Sequence, residues 1–347
     1  MELASASHSE HTISPMQIEE RIPLGSLTTF QIGGPARYFA RVKSVEDLAE
    51  ALQFAKEKNA KVFFLGGGSN VLVDDAGFDG LVIKIEVKGV AEQDSRMSAG
   101  AGESWDALVL RTVENNLWGI ENLSGIPGTV GGAVVQNIGA YGQALSQTLE
   151  WVEVYDTTTG AEKRLSKKEY QSGYRDSIFK REPGRYVVLR VALALSLGGV
   201  PATSYKDLAV RFAGKTPSLQ EIRAAVLEIR AQKFPDLQVE GTAGSFFKNP
   251  IVTEEEAKKL QLQYPDMPVF TMPETSGIKV PLAWLLDKAL HLRGARMGGA
   301  RLFERQPLVI AAEPNTPSAD VKKLAAYVQE KVREAFDIEI EPEVTVI

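Results

Sequence analysis

Capped amphipathic helices alternate along this chain with short apolar runs of strand length, and that alternation predicts a mixed fold, α/β or α+β, without internal repeats. The 347 residues exceed a usual domain of about 100–200, so two to three domains and a large core are expected. A composition of 44% hydrophobic and 24% charged residues is that of an ordinary globular chain and leaves collagen-like, coiled-coil and wholly disordered classes without support.

The elements follow in order. Residues 1–17 are polar, without a basic start or an apolar run of signal-peptide length, and read as a loose leader; a cytoplasmic location follows. His8 and His11 within it have the i, i+3 spacing of a metal pair but lack further ligands, so they read as solvated histidines and no metal site is expected. SVED at 44–47 resembles a capping box, with Val45, Leu48, Ala49, Leu52 and Ala55 at helical spacing behind it. KVFFL at 61–65 is a strand that runs into GGGSN at 66–70, and residues 71–73 and 81–85 are strand-like. Ser104 caps a helix through Asn115 and Asn116, and residues 117–142, rich in glycine and nearly free of charge, read as a buried, loop-rich segment. Residues 151–155 and 186–197 are strands around a basic stretch. Capping boxes open two helices at Ser218 and Thr253, Pro281 opens another, and Val321, Leu324, Ala325, Val328 and Val332 share a face of the last. No run reaches the roughly 18–20 apolar residues of a membrane span.

Charge and cysteine content narrow the chemistry. A net charge of -6 offers no global positive field for nucleic acid or anionic lipid, and neither partner is expected. With no cysteine, disulfides, zinc–thiolate sites, iron–sulfur clusters and cysteine nucleophiles are excluded. The absence of a long heptad or sticky stripe makes a monomer the expectation.

Two glycine loops are the candidate binding elements. In GGGSN, backbone N–H groups can approach a phosphate without Cβ interference, although a tight turn uses the same residues. It is neither G-x-G-x-x-G nor G-x-x-x-x-G-K-[ST], so neither the dinucleotide fingerprint nor the P-loop applies. The second, GIPGTVGG at 125–132 continued by QNIGAYG at 136–142, carries Ile126, Val130, Val134, Val135, Ile138 and Tyr141, which a solvated linker would not. Backbone donors in an apolar wall suit a flat heteroaromatic cofactor with a diphosphate.

The order GGGSN, ENLSGIPGTVGGAVVQNIGAYG, GYRDSIFK, GTAGSFFKNP and EPEV closely resembles the UDP-N-acetylenolpyruvoylglucosamine reductase family over residues 28–347, and YKDL at 205–208 resembles the tyrosine loop of its longer subclass. The resemblance implies an α+β chain: a two-domain FAD-binding fold of the vanillyl-alcohol-oxidase type plus a smaller α+β substrate-binding domain. The implied division is 18–85 and 86–233 for FAD, with 335–347 returning to the second of these, and 234–334 for substrate. It implies noncovalent FAD, in line with the absence of cysteine and with His8, His11 and His291 lying outside both loops. The implied reaction is the NADPH-dependent reduction of UDP-N-acetylglucosamine enolpyruvate to UDP-N-acetylmuramate in peptidoglycan precursor synthesis, and hence in cell-wall formation, cell shape and division. The cofactor contacts it implies are Gly66, Gly67, Gly68, Ser69, Asn70, Ile126, Pro127, Gly128, Gly132, Gly139, Ala140 and Tyr141.

Hydride addition at the methylene carbon leaves negative charge on the adjacent carbon and its carboxylate, so the site needs cationic or hydrogen-bonding groups and a proton donor. Read alone, Arg175 is a surface arginine paired to Asp176, Glu343 a solvated chain-end carboxylate and Ser245 a turn serine. The resemblance implies that Arg175 holds the carboxylate and developing enolate, that Glu343, at least partly protonated, shares that charge, and that Ser245 delivers the proton, with Lys248 or a water assisting. Tyr205, Lys233, Asn249 and Gln306 match positions that contact substrate; Lys233 also reads as a helix C-terminal lysine. Where the family often has arginine two residues after the glutamate, this chain has Thr345. The rival readings are a flavin oxidase of alcohols or sugars and a nonenzymatic flavin or nucleotide-binding module, and the serine, arginine and glutamate trio distinguishes the reductase from both.

Overall fold

The computed structural model describes residues 16–272 and 277–347; the leader histidines His8 and His11 lie outside the described residues. The first lobe is built from β1 (Ile18–Pro23), β2 (Pro35–Val42), α1 (Val45–Glu57), β3 (Lys61–Leu65), β4 (Val71–Leu72) and β5 (Phe78–Ile85). Its sheet runs β1-β2-β5-β3, with β1 antiparallel to β2 and β5 parallel to both β2 and β3. The box at Ser44 forms as read: its Oγ accepts from the Asp47 N–H and the Asp47 carboxylate accepts from the Ser44 N–H, each at 3.1 Å. Leu48, Ala51 and Ala55 face the core. GGGSN therefore leaves the carboxyl end of a strand in the parallel part of a sheet, the end at which open α/β sheets bind ligands.

The second lobe adds β6 (Val90–Gln93), β7 (Arg96–Gly100), α2 (Trp105–Glu114), α3 (Val130–Gln136), β8 (Leu149–Asp156), β9 (Ala161–Ser166), β10 (Tyr186–Ala194) and α4 (Leu219–Lys233). Its sheet is antiparallel throughout, in the order β9-β8-β10-β7-β6. One apolar core runs through both lobes, joining Leu48, Leu81 and Ile83 to Trp105, Val130, Val152 and Leu189. The Trp105 indole is fully buried and donates to the Leu123 carbonyl at 3.0 Å, which satisfies its polar edge.

Within residues 117–142, read as loop, the structure corrects the expectation with α3. Thr129 Oγ1 accepts from the Gly132 N–H at 3.3 Å and Asn137 ends the helix in the left-handed region at φ 43°. Glycine is unfavourable in a helix interior, but a Cβ at Gly131 would sit 2.9 Å from that of Ala101, so close packing overrides propensity.

The third lobe holds β11 (Ile251–Val252), α5 (Glu254–Gln263), β12 (Phe270–Met272), β13 (Gly277–Lys279), β14 (Arg296–Met297), β15 (Ala300–Leu302), β16 (Ile310–Ala312) and α6 (Ser318–Phe336). Two three-stranded sheets, β11-β13-β12 and β14-β15-β16, cover a core that includes Phe246, Phe247, Leu285, Leu286, Ile310, Leu324 and Val328. The helix opened by Pro281 runs Leu282–Trp284 and then widens into a π turn, Leu285–Ala289. Among the described residues no helix is long and apolar enough to cross a membrane.

The return of residues 335–347 to the second lobe is overturned. Ile338, Ile340 and Val344 are buried in the core of the third lobe, and the terminal strand β17 (Thr345–Val346) pairs parallel with β4 of the first. The cause is a pairing between distant parts of the chain: Thr345 N–H donates to the Asn70 carbonyl at 3.1 Å and Ile347 N–H to the Leu72 carbonyl at 3.0 Å, which closes the open edge of β4.

Candidate active site

A cavity of about 1400 Å³ opens where the three lobes meet, lined by both glycine loops, the GYR turn, the C-terminal half of α4 and residues of the GSFFKN segment. Ser245, Arg175, Glu343, Tyr205, Lys233, Asn249 and Gln306 all line it, as do Gly66, Gly67, Gly68, Ser69, Asn70, Ile126, Pro127, Gly132, Gly139, Ala140 and Tyr141. Gly128 does not. It is packed behind the surface, where a Cβ on Gly67 would lie 2.6 Å from the Gly128 Cα and one on Gly128 2.6 Å from Ser69 Oγ. The loops thus touch backbone to backbone, an approach open only to glycine.

Among the described residues no protein acceptor takes the backbone N–H groups of Gly67, Gly68, Ser69 and Asn70. Partly buried donors without partners are unfavourable unless a ligand completes them. Four such donors beside an apolar wall fit a diphosphate and a flat ring system, so the residues present suit FAD. The Asn70 side chain differs from expectation: its Nδ2 donates to the Glu343 carbonyl at 2.9 Å, tying the cofactor loop to the terminal segment.

The GYR turn is held from α3. Asn137 Nδ2 donates to the Gly173 carbonyl at 2.8 Å and Ser177 Oγ to the Val135 carbonyl at 2.7 Å. Gly173 and Asp176 close a tight bridge, with Arg175 between them at φ 52°, a conformation that costs a side-chain-bearing residue about 1–2 kcal/mol. That conformation separates Arg175 from its neighbour. Asp176 pairs with Arg181, whose Nη2 lies 2.7 Å from its Oδ2, while Arg175 Nε lies 3.0 Å from Glu343 Oε1 as an ion pair rather than an aligned hydrogen bond. The pairing of Arg175 with Asp176 is therefore not formed. Arg175 reaches the second glycine loop too, its Nη1 lying 3.5 Å from where a Cβ on Gly139 would be.

Ser245 follows Gly244, which takes φ 78° and whose Cβ position faces open space. The Ser245 backbone is bridged to Val309, and its Oγ has no protein partner among the described residues. Lys248 is turned from it: its Nζ lies 3.0 Å from Glu341 Oε2, and it lines a separate side pocket. Asn249 is fixed at both ends of its amide, donating to the Tyr174 hydroxyl at 3.2 Å and accepting from the Leu282 N–H at 3.0 Å. Lys233, in the last turn of α4, forms an ion pair with Asp207. Tyr205 meets Tyr141 edge to face at 5.4 Å, and burial pushes the Tyr141 phenol up to about 12, so at neutral pH it remains a donor.

Arg230 and Lys279, like Arg305, line the cavity and escape the sequence reading. Arg230 Nε donates to the Gly125 carbonyl at 2.9 Å, while the Gly125 N–H donates to Asp106 Oδ1 at 2.6 Å and Arg223 grips the same Asp106 through two contacts of 2.7 and 2.8 Å. This network sets the second glycine loop against α2 and α4. Lys279 Nζ lies 5.3 Å from the Tyr174 ring and 5.5 Å from that of Phe270, and burial together with Arg175 pulls its pKa down. Both are ordinary helix or strand cations in sequence; only the tertiary fold turns them inward. Among the described residues no group of three or more His, Cys, Asp or Glu side chains could hold a metal ion.

Comparison with known proteins agrees with this architecture. Residues 36–166 match the FAD binding domain family, and residues 235–347 the UDP-N-acetylenolpyruvoylglucosamine reductase C-terminal domain family. The chain is 39% identical over 342 residues to a UDP-N-acetylenolpyruvoylglucosamine reductase of Ralstonia nicotianae, covering 95% of this chain and 99% of that one. It is 40% identical over 326 residues to the protein of that name from Escherichia coli, covering 92% and 94%. The crystal structure of the Thermus caldophilus UDP-N-acetylenolpyruvylglucosamine reductase superposes with a TM-score of 0.69 at 27% identity, covering 95% of this chain and 99% of that chain.

Proposed function

The chain belongs to the UDP-N-acetylenolpyruvoylglucosamine reductase family, and from that premise we propose that Arg175, Glu343 and Ser245 carry out the second half of its reaction in the cavity described. The enzyme is an FAD-containing oxidoreductase that reduces UDP-N-acetylglucosamine enolpyruvate to UDP-N-acetylmuramate with NADPH, a step of peptidoglycan synthesis. Bound FAD supplies the relay of a hydride from NADPH to the enolpyruvyl methylene carbon. The unpaired N–H groups of Gly67, Gly68, Ser69 and Asn70 would hold its diphosphate, with the apolar second loop, Ile126, Pro127, Gly132, Gly139, Ala140 and Tyr141, along its body.

The observation that carries this reading is the Arg175–Glu343 pair, 3.0 Å apart, in the same cavity as an unpartnered Ser245 Oγ. With Nε turned to Glu343, the two terminal nitrogens of Arg175 have no protein hydrogen bond among the described residues and can take the substrate carboxylate. Glu343 and the incoming carboxylate then meet at one guanidinium, so Glu343 takes part in holding the charge that develops there. Charge that develops on the carbon next to the carboxylate is stabilised by the same fork, and Ser245 Oγ delivers the proton to that carbon. Since Lys248 is engaged by Glu341, a water is the better candidate to assist the serine.

Lys233, Tyr205, Asn249 and Gln306 would hold the UDP moiety. The Lys233 ammonium, facing Asp207 in the free protein, exchanges that carboxylate for the diphosphate. Lys233→Ala is expected to raise KM for the enolpyruvyl sugar nucleotide about tenfold or more, the loss of one hydrogen bond to a charged group, with kcat within about twofold. Steady-state kinetics check it, and an unchanged KM contradicts the assignment. A cytoplasmic monomer, divided near residues 86 and 234, belongs to the same proposal.

A further inference from the structure

We propose that Lys180, which does not line the cavity, is a positioning residue for Arg175: its ammonium fixes the carbonyl of the strained turn and so aims the guanidinium at the substrate carboxylate. The inference rests on the role assigned to Arg175 above.

Lys180 Nζ donates to the Arg175 carbonyl at 3.0 Å and lies 3.4 Å from Gln136 Oε1, at the C-terminus of α3. Arg175 occupies the left-handed region, which a residue with a Cβ leaves unless its surroundings hold it there. Side chains brace the turn besides its own Gly173–Asp176 bridge: Asn137 donates to the Gly173 carbonyl, Ser177 to the Val135 carbonyl, and Lys180 to the backbone carbonyl of Arg175 itself, whose guanidinium faces Glu343. Lys180 is half-buried, and among the described residues no carboxylate lies within ion-pair distance of it. Burial, Lys248 and Arg175 pull its pKa down, while Glu343 and Asp176 act the other way. A cation half removed from water without a carboxylate is unfavourable by itself, and the turn carbonyl is the strongest acceptor it has.

The test separates the two half-reactions in Lys180→Met, which keeps the stem and removes the charge. FAD content and the rate of flavin reduction by NADPH are expected to match wild type. Flavin reoxidation by UDP-N-acetylglucosamine enolpyruvate is expected to slow at least about tenfold, the lower range for a misplaced group, and Lys180→Arg to recover much of it. In an Arg175→Ala background the same substitution should have no further effect, because the residue acts through Arg175. Wild-type reoxidation in Lys180→Met, or additive losses in the double variant, overturns the inference. Loss of FAD or of folding in Lys180→Met without rescue by Lys180→Arg assigns it a merely structural role and overturns it as well. Full activity in the Arg175→Ala parent would instead overturn the role of Arg175 on which this inference stands.

Discussion

Ser245→Ala is expected to leave flavin reduction by NADPH at the wild-type rate and to slow flavin reoxidation by the enolpyruvyl sugar nucleotide by at least about 10²-fold, the contribution of a positioned proton donor. The split follows from the geometry. Ser245 Oγ makes no protein hydrogen bond among the described residues, so removing it strands no buried partner, and the backbone bridge to Val309 that positions the residue is independent of its side chain. Folding and FAD content should therefore be unchanged. Stopped-flow spectra of the two steps check the prediction; reoxidation at the wild-type rate would remove the serine from the mechanism.

Arg175→Lys is expected to lower the same second step by about 10²–10³-fold although the charge is retained, the range for losing a preorganised donor to a developing anion. Arginine is needed because it does two things at once: Nε engages Glu343 at 3.0 Å while Nη1 reaches toward Gly139 and the cofactor loop. An ammonium is a single point that cannot bridge both. Lysine tolerates the left-handed conformation no better and no worse than arginine, so Tm should shift little, and a large fall in Tm would instead indicate a structural arginine. A wild-type second step in a stably folded variant would return Arg175 to the status of a surface residue.

What could be read from the sequence was local. The caps at Ser44, Ser218 and Thr253 form because side chain and backbone partners are three residues apart, and each helix follows from them. The glycine loops were legible because glycine without charge in an apolar setting has few uses. The features that escaped depend on distant partners. Helix α3 exists because Gly131 lets it pack on Ala101, a contact that local propensity opposes. Strand β17 goes to β4 because an edge there is open, which no local pattern records. In GYRD the nearest partner in sequence misleads, since the left-handed turn at Arg175 sends Asp176 to Arg181 and Arg175 to Glu343. The sequence marks Arg175, Ser245 and Glu343 only through resemblance, because their chemistry arises from meeting in one cavity. Arg230, Lys279 and Lys180 carry no local mark of their roles, being cations on ordinary elements until packing turns them inward.

The most direct test of the account is an anaerobic visible spectrum of the purified protein and of Glu343→Gln, followed through addition of NADPH and then of UDP-N-acetylglucosamine enolpyruvate. The expected result is a yellow protein that bleaches with NADPH and recolours with the enolpyruvyl sugar nucleotide, and a variant that bleaches at the same rate but recolours far more slowly. A protein that takes up no flavin, or one that bleaches and never recolours, contradicts it, as does a Glu343→Gln variant that recolours at the wild-type rate.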